Sequence, residues 1–70
     1  METDISNIYN VSEHDRLLKA SEVAEMLNIG LSFAYKLMRE GEIPSIKLGR
    51  AVRVRHCDLK TFINDNVRFG

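Results

Sequence analysis

Apolar residues recur at intervals of three and four positions in three stretches of this chain, and that spacing predicts three amphipathic helices. We expect the first helix from about Ala20 to Asn28, the second from about Leu31 to Glu40, and the third from about Cys57 to Asn66. Asn28-Ile29-Gly30 separates the first two and predicts a tight turn, because Asn and Gly both tolerate positive φ. Gly41 is expected to end the second helix.

Each predicted helix carries an apolar stripe that we expect to be buried. The stripes are Ala20, Val23, Ala24 and Leu27 in the first helix, Leu31, Ala34, Leu37 and Met38 in the second, and Leu59, Phe62 and Ile63 in the third. Phe62 is expected to contribute most to the core, about 3–5 kcal/mol relative to alanine. The first helix is capped either by Lys19, which precedes it, or by Ser21.

A two-residue alternation replaces the helical spacing from Ile46 to Arg55 and predicts an antiparallel hairpin. One face would carry Ile46, Leu48, Val52 and Val54, and the other Lys47, Arg53 and Arg55. A two-residue loop would pair Ile46 with Arg53 and mix the faces. A three-residue loop, Gly49-Arg50-Ala51, would pair Ile46 with Val54 and keep the apolar face intact, so we expect the longer loop.

A helix, a tight turn, a second helix and a hairpin, in this order, predict a small, mostly helical α+β fold. This fold is a winged helix-turn-helix with three helices and a two-stranded wing, an arrangement typical of proteins that bind double-stranded DNA. We expect the domain to span residues 16–66. Residues 1–15 show neither the helical spacing nor the two-residue alternation of a strand, and we expect them to form a flexible lead-in. Residues 67–70 are expected to fray.

The composition of the 70 residues fits one small domain with a modest core. No apolar run approaches the ~18 residues of a membrane-spanning helix, and the first residues lack the regions of a signal peptide. The single Cys57 cannot form an internal disulfide, which agrees with a reducing compartment. We therefore expect a cytoplasmic, nucleoid-associated protein without membrane contact.

The net charge of zero conceals an asymmetry along the chain. Residues 1–30 contain two basic and six acidic residues, a net charge of −4, whereas residues 31–70 contain eight basic and four acidic residues, a net charge of +4. Attraction to phosphate is screened beyond roughly 10 Å at ordinary salt, so a local basic patch matters more than the total charge. The second half of the chain is therefore the candidate for binding nucleic acid.

Polar residues on the second helix are the first candidates for DNA contacts. Lys36 and Arg39 are one turn apart on its predicted exposed face and can reach phosphates or guanine edges. Ser32, near the helix start, is small enough to let the backbone approach DNA. The alternative is a solvated face on which Glu40 pairs with Lys36.

Two aromatic residues lie on the shoulders between the buried and exposed faces of this helix. Tyr35 can pack its ring and donate its hydroxyl to a phosphate. Phe33 either extends the core or, if it is exposed, contacts a thymine methyl group.

The predicted hairpin is the stronger candidate for DNA contacts, because four of its nine residues at positions 47–55 are basic and none is acidic. They are Lys47, Arg50, Arg53 and Arg55. Arg50, at the hairpin tip, would enter an adjacent minor groove, where narrow A·T-rich DNA attracts arginine. The alternative is that these charges only protect the strand edges from aggregation.

Residues for catalysis or metal binding form no recognisable set. His56 and Cys57 are adjacent, but two neighbouring ligands without a second cluster do not make a zinc site, and His14 lies in the predicted lead-in. The sequence contains no paired carboxylates, nucleophile–base set or phosphate-binding glycine loop. We therefore expect no enzymatic activity, no cofactor and no metal.

From Leu17 to Ile63 the sequence resembles the excisionase-type helix-turn-helix modules, a branch of the MerR-like winged-helix superfamily. The matching stretches are SEVAEMLNI, AYKLMREGEIPSIKLGR, VRVR and DLKTFI. The resemblance implies that the second helix enters the major groove while the wing lies against the neighbouring minor groove or backbone. It assigns recognition-helix contacts to Ser32, Tyr35, Lys36 and Arg39, and wing contacts to Lys47, Arg50 and Arg53.

Many members of the resembled family are recombination directionality factors of phages and mobile elements. They bind clustered sites, bend the DNA and help a tyrosine integrase to excise the element, whereas others are small transcriptional regulators. The resemblance thus implies an excision factor, with a transcriptional regulator as the alternative. Because one small domain offers few contacts, we expect a monomer in solution that is cooperative on adjacent DNA sites or is assisted by a protein partner. An adaptor that binds only proteins is a third hypothesis, based on the acidic lead-in and the neutral total charge.

The chain departs from the family pattern where the second helix begins and where the hairpin turns. Gly30 replaces a usual Ser, Leu31 replaces a basic residue and Phe33 replaces a frequent Thr. Ala51 and Val52 replace a basic–aromatic pair. These changes remove polar groups near the helix start, so we expect phosphate contacts and DNA shape to outweigh base contacts there.

Overall fold

The computed structural model describes residues 16–68 of the chain. In chain order its elements are β1 (Leu17–Leu18), α1 (Ala20–Leu27), α2 (Leu31–Arg39), β2 (Ile46–Leu48), β3 (Ala51–Arg55) and α3 (His56–Asp65). The α+β fold class, the three helices and the hairpin are confirmed, with each helix end within one residue of its predicted position. The predicted lead-in of residues 1–15, and residues 69–70 of the predicted frayed end, lie outside the described residues.

The strand β1 extends the predicted two-stranded hairpin to a three-stranded antiparallel sheet with the order β1-β3-β2. Leu17 lies opposite Arg55, and Leu18 lies opposite Val54. The backbone N–H of His56 continues this pairing by donating a hydrogen bond to the Arg16 carbonyl at 2.8 Å. Two residues are too few to show a two-residue alternation, so the sequence pattern does not reveal this strand.

The helix α1 is capped at its start by Lys19, the first of the two predicted alternatives. The Glu22 carboxylate accepts a hydrogen bond from the Lys19 backbone N–H at 2.8 Å, and its other oxygen is 3.0 Å from the Arg16 guanidinium. The lysine side chain has no acceptor atom, so only one half of a reciprocal capping box forms. The backbone hydrogen bond from Lys19 lowers the pKa of Glu22, and the Arg16 charge adds to this effect.

Glycines flank the helix α2 at both ends, Gly30 before its first residue and Gly41 shortly after its last. Gly30 is the N-cap residue and provides no side-chain hydrogen bond to the helix. At the other end Gly41 adopts a φ of 78°, while the N–H groups of Gly41 and Glu42 donate to the carbonyls of Met38 and Leu37. These two hydrogen bonds and the left-handed Gly41 form the Schellman motif, which confirms the prediction that Gly41 stops the helix.

Among residues 16–68 the core consists of nine buried apolar side chains, eight from the three helices and the sheet and one from the loop before β2. They are Leu18, Ala20, Val23, Ala24, Ala34, Met38, Ile43, Val54 and Leu59. Ile43 is fully buried although it lies in the loop before β2, where no periodic pattern marks it. Phe62 only packs against this cluster, so the expectation that it dominates the core is wrong. Leu31 and Ile63, both predicted to be buried, are 48% and 39% exposed.

The register of the hairpin differs from the predicted one. Gly49 and Arg50 form a two-residue turn, with Leu48 opposite Ala51 and Lys47 opposite Val52. Gly49 has a φ of 62°, and positive φ at the first central residue is typical of the type II′ turns that join tight hairpins. The expectation of a three-residue loop is therefore wrong.

The sheet tolerates this register because other elements supply the apolar partners of Val54. Val54 is fully buried beside Leu18 of β1 and therefore does not need Ile46 opposite it. Ile46 lies opposite Arg53 instead, on the outer face of the hairpin. Because cross-strand partners share a face, Lys47 shares the inner face with Val52.

Candidate nucleic-acid interface

A groove of about 440 Å³ separates the helix α2 from the hairpin. Its lining residues are Tyr35, Met38, Arg39, Ser45, Lys47 and Val52. We call it the helix–hairpin groove. Met38 is buried and Val52 is half-buried, so the floor is apolar, whereas Arg39 and Lys47 are exposed. Two cations from different elements thus border one concave, partly apolar surface.

The positions of the basic residues in this groove follow from the local backbone. Tyr35 and Arg39 are one turn apart on α2, and the burial of Ala34 and Met38 in the core holds them toward the hairpin side. Lys47 reaches the groove because the two-residue turn places it on the inner face beside Val52. The predicted register would have placed Lys47 on the outer face, away from α2.

Ser32 and Lys36 are exposed on α2, as predicted. Within residues 16–68 no ion pair joins Lys36 to Glu40, so the alternative that Glu40 neutralises this lysine is not what the structure shows. Neither Ser32 nor Lys36 lines the helix–hairpin groove. Their assignment to DNA contacts remains a prediction.

Phe33 lies on the other side of α2. It is 49% exposed and borders a second groove of about 380 Å³. The residues lining that groove are Leu27, Ile29, Phe33, Leu37, Glu42, Phe62 and Asn66. The two grooves have no lining residue in common, so Phe33 does not belong to the surface that joins α2 to the hairpin.

The four basic hairpin residues do not share one face, contrary to the expectation for Lys47, Arg53 and Arg55. Arg50 is exposed in the turn at the tip. Arg53 lies opposite Ile46 on the outer face and is half-buried, and its guanidinium donates a hydrogen bond to the Val52 carbonyl at 2.9 Å. Lys47 is thus separated from Arg53 by the thickness of the hairpin.

Arg55 makes a two-point contact with Asp58 at the start of α3. Its Nε and Nη2 atoms donate to the two carboxylate oxygens at 2.8 and 3.1 Å. The Arg55 side chain is 53% exposed and that of Asp58 is 20% exposed. Sequence reasoning treated Arg55 as one of four equivalent hairpin cations and missed this contact, although the i,i+3 spacing of the two residues permits it.

Ser45 is a further member of the helix–hairpin groove that sequence reasoning missed. It lies in the non-periodic segment between Gly41 and β2, so no spacing marks it. Its hydroxyl, together with that of Tyr35, gives the groove hydrogen-bond donors beside its two cations.

Other chemistry is not assembled in the part of the chain that the structure describes. No group of three His, Cys, Asp or Glu side chains there could hold a metal ion. Cys57 is a half-buried free thiol, and the Nδ1 atom of His56 is buried without a hydrogen-bond partner among residues 16–68. No helix among residues 16–68 is long and apolar enough to cross a membrane.

Comparison with known proteins identifies the fold family. Residues 17–67 match the model of the family described as "Helix-turn-helix domain", and the chain belongs to that family. The match spans α1, α2, the hairpin and α3, and therefore every element that borders the helix–hairpin groove.

Two similar proteins come from Mycobacterium tuberculosis. They are the "Putative DNA-binding protein MT0521" of strain CDC 1551 / Oshkosh and the "Putative DNA-binding protein Rv0500A" of strain ATCC 25618 / H37Rv. Each is 36% identical to this chain over 39 residues, which cover 56% of this chain and 50% of the relative. The chain therefore spans about half the length of the curated relatives it matches. No solved structure matches the chain significantly.

Proposed function

We propose that this protein binds double-stranded DNA in the cytoplasm, with α2 in the major groove and the hairpin at the adjacent minor groove. The observation that carries the proposal is the helix–hairpin groove, which brings Arg39 of α2 and Lys47 of β2 to one surface. A major groove and its neighbouring minor groove are separated by one phosphate backbone. A protein that contacts both grooves therefore needs a cationic channel between its two contacting elements.

The composition of the helix–hairpin groove suits a phosphodiester backbone. Arg39 and Lys47 would supply the charge, while the hydroxyls of Tyr35 and Ser45 would supply neutral donors. The apolar floor of Met38 and Val52 excludes water from one side of the groove, which strengthens attraction between the cations and a bound phosphate. Arg50 would add a contact at the hairpin tip, within the minor groove.

The biological role that we propose is that of an excisionase-type recombination directionality factor. Such a factor would bend attachment-site DNA so that a tyrosine integrase excises a mobile element. One domain of this size offers few contacts, so useful specificity would need several copies on adjacent sites or a protein partner. The resemblance of residues 17–63 to excisionase modules supports this role, and a monomer in solution that is cooperative on DNA fits it.

A small transcriptional regulator is the second candidate, because the same surface would serve it. The names of the relatives specify DNA binding and neither role. Electrophoretic shifts on attachment-region DNA and on promoter DNA separate the two candidates. An excision factor fills repeated sites beside the attachment point and bends the fragment, whereas a regulator binds at the promoter with higher affinity.

The DNA-binding proposal itself is tested by the salt dependence of affinity for a mixed-sequence duplex. Log affinity should fall linearly with log salt, at a slope of about −0.9 per phosphate contacted. Arg39→Ala and Lys47→Ala should each make that slope shallower by about 0.9. Lys60→Ala removes one exposed positive charge from α3, outside the groove, and serves as the matched control. Equal slopes for all four proteins would refute the proposed contact surface.

A further inference from the structure

Leu31 is an apolar residue on the surface where a helix-turn-helix meets base edges. It is the first residue of α2, directly after the N-cap Gly30, and it is 48% exposed. Leu31, Tyr35 and Arg39 follow one another at intervals of four positions, so they form one line along the helix. Because Tyr35 and Arg39 border the helix–hairpin groove, this line runs on the hairpin side of α2.

The surroundings of Leu31 leave room for DNA to approach closely. Gly30 carries no side chain, and nothing lies within 4 Å of the position that a Cβ atom would take there. Recognition helices contact base edges mainly with their N-terminal residues. A leucine at that place can neither donate nor accept a hydrogen bond, so it can distinguish bases only through apolar contact.

The major groove presents one apolar group on its base edges, the C5-methyl group of thymine. A 5-methylcytosine carries the same methyl group at the same ring position. We infer that Leu31 contacts the C5-methyl group of a pyrimidine in the major groove, so that the protein prefers thymine or 5-methylcytosine at one position of its target. The inference rests on the proposed DNA binding by α2 and adds a specificity-determining residue to it.

Phe33 was expected either to extend the core or, if exposed, to contact a thymine methyl group, and its location favours Leu31 for that contact. Phe33 borders the second groove with Leu37 and Phe62, on the side of α2 away from the hairpin. A duplex that contacts both α2 and the hairpin approaches from the side of Tyr35 and Arg39. Leu31 lies on that side.

The test begins with duplexes selected by the wild-type protein from a pool with a randomised 20-base-pair region. Each thymine of a selected duplex is then replaced singly by deoxyuridine, which removes only the methyl group. For the wild-type protein we expect one position at which this replacement weakens binding about fourfold, the value that burial of one methyl group predicts. At the same position 5-methylcytosine should bind more tightly than cytosine by a similar factor.

Two variants connect the effect to Leu31. In Leu31→Ala the replacement of thymine by deoxyuridine should change affinity less than about 1.5-fold, because the apolar contact is gone. Leu31→Met keeps an apolar side chain of similar size and should retain the discrimination. Circular dichroism melting confirms that each variant is folded, which we expect because Leu31 is half exposed.

The outcomes separate this inference from the DNA-binding proposal. Salt-dependent DNA binding without any methyl effect would overturn the role of Leu31 and leave the proposed function intact. A methyl effect that is lost in Phe33→Ala but retained in Leu31→Ala would also overturn it, since the contact would then come from Phe33. Failure to bind any duplex would overturn both the inference and the proposed function.

Discussion

Lys47 and Val52 face each other across the hairpin, and this pairing places an ammonium group on the same face as an apolar side chain that packs against the core. That relationship determines which surface of the hairpin carries charge toward α2. With the pairing shifted by one residue, Lys47 would lie on the outer face with Arg53. The helix–hairpin groove would then have only one cation, from α2.

The tight turn that fixes this pairing depends on Gly49. Its φ of 62° is unfavourable for residues with a Cβ, but no atom lies within 4 Å of the position that a Cβ would take. Gly49→Ala should therefore lower the free energy of unfolding by about 1–2 kcal/mol for conformational reasons alone, as urea denaturation would measure. Gly49→Asn should lower it less, since Asn tolerates this conformation. Equal losses for both variants would indicate a steric rather than a conformational cause.

A substitution at the N-cap of α2 should raise the stability of the domain rather than lower it. Gly30 has the extended conformation of an N-cap residue, with φ of −70° and ψ of 155°, and space for a side chain. Gly30→Ser should raise the free energy of unfolding by a few tenths of a kcal/mol, because the hydroxyl can accept a hydrogen bond from a free N–H of the first turn. Gly30→Ala provides the control without an acceptor. In thermal melts the free energy of unfolding of the serine variant should exceed that of the alanine variant by about 1 kcal/mol.

The contact between Arg55 and Asp58 should compete with DNA for the arginine. Because both side chains are partly exposed, the pair should contribute at most about 1 kcal/mol to stability. If Arg55 also contacts phosphate, Asp58→Asn should tighten DNA binding by about twofold. In an Arg55→Ala background the same substitution should have no such effect. A gain of equal size in both backgrounds would instead reflect the general loss of a negative charge.

Glu22 should make the stability of the domain sensitive to acid. Its pKa is lowered in the folded protein, chiefly by the hydrogen bond from the Lys19 backbone, so its stabilising effect is fully present above the ordinary glutamate pKa of 4.5. The effect is lost as the pH falls through the lower folded value. Denaturation curves between pH 6 and roughly pH 3 should therefore show a smaller loss of stability for Glu22→Gln than for wild type.

Glu25→Gln is the matched control for that comparison. Glu25 lies on the same helix and is exposed, and its side chain makes no hydrogen bond or ion pair within residues 16–68. Its substitution should leave the acid dependence of stability close to that of wild type. An identical effect of the two substitutions would argue against the contribution of the Lys19 hydrogen bond.

Periodicity predicts the helices of this domain well because each has a one-sided apolar stripe. It does not predict β1, which is too short to alternate, or the burial of Ile43 in a loop. It also fails for the hairpin register, since the apolar partner of Val54 is Leu18, far away in the sequence. The expectation that apolar residues lie opposite each other within the hairpin cannot account for an apolar partner outside the hairpin.

The candidate site is predicted in part. Tyr35, Arg39 and Lys47 meet in the helix–hairpin groove, as a common DNA-facing surface requires. The sequence does not indicate that Arg53 and Arg55 lie on the opposite face from Lys47, because that depends on the register. It also does not mark Ser45, whose place in the groove is set by the path of the chain after Gly41.

The pairing of β1 with β3 also bears on how the domain forms during synthesis. Leu18, among the first residues of the domain to leave the ribosome, is fully buried only when Val54 and the adjoining residues have followed it. The helix-turn-helix can begin to form from local contacts, whereas the sheet must wait for a distant partner. Truncated chains released before β3 is complete should therefore expose Leu18 to proteases or chaperones, and the first stable product should be nearly the full domain.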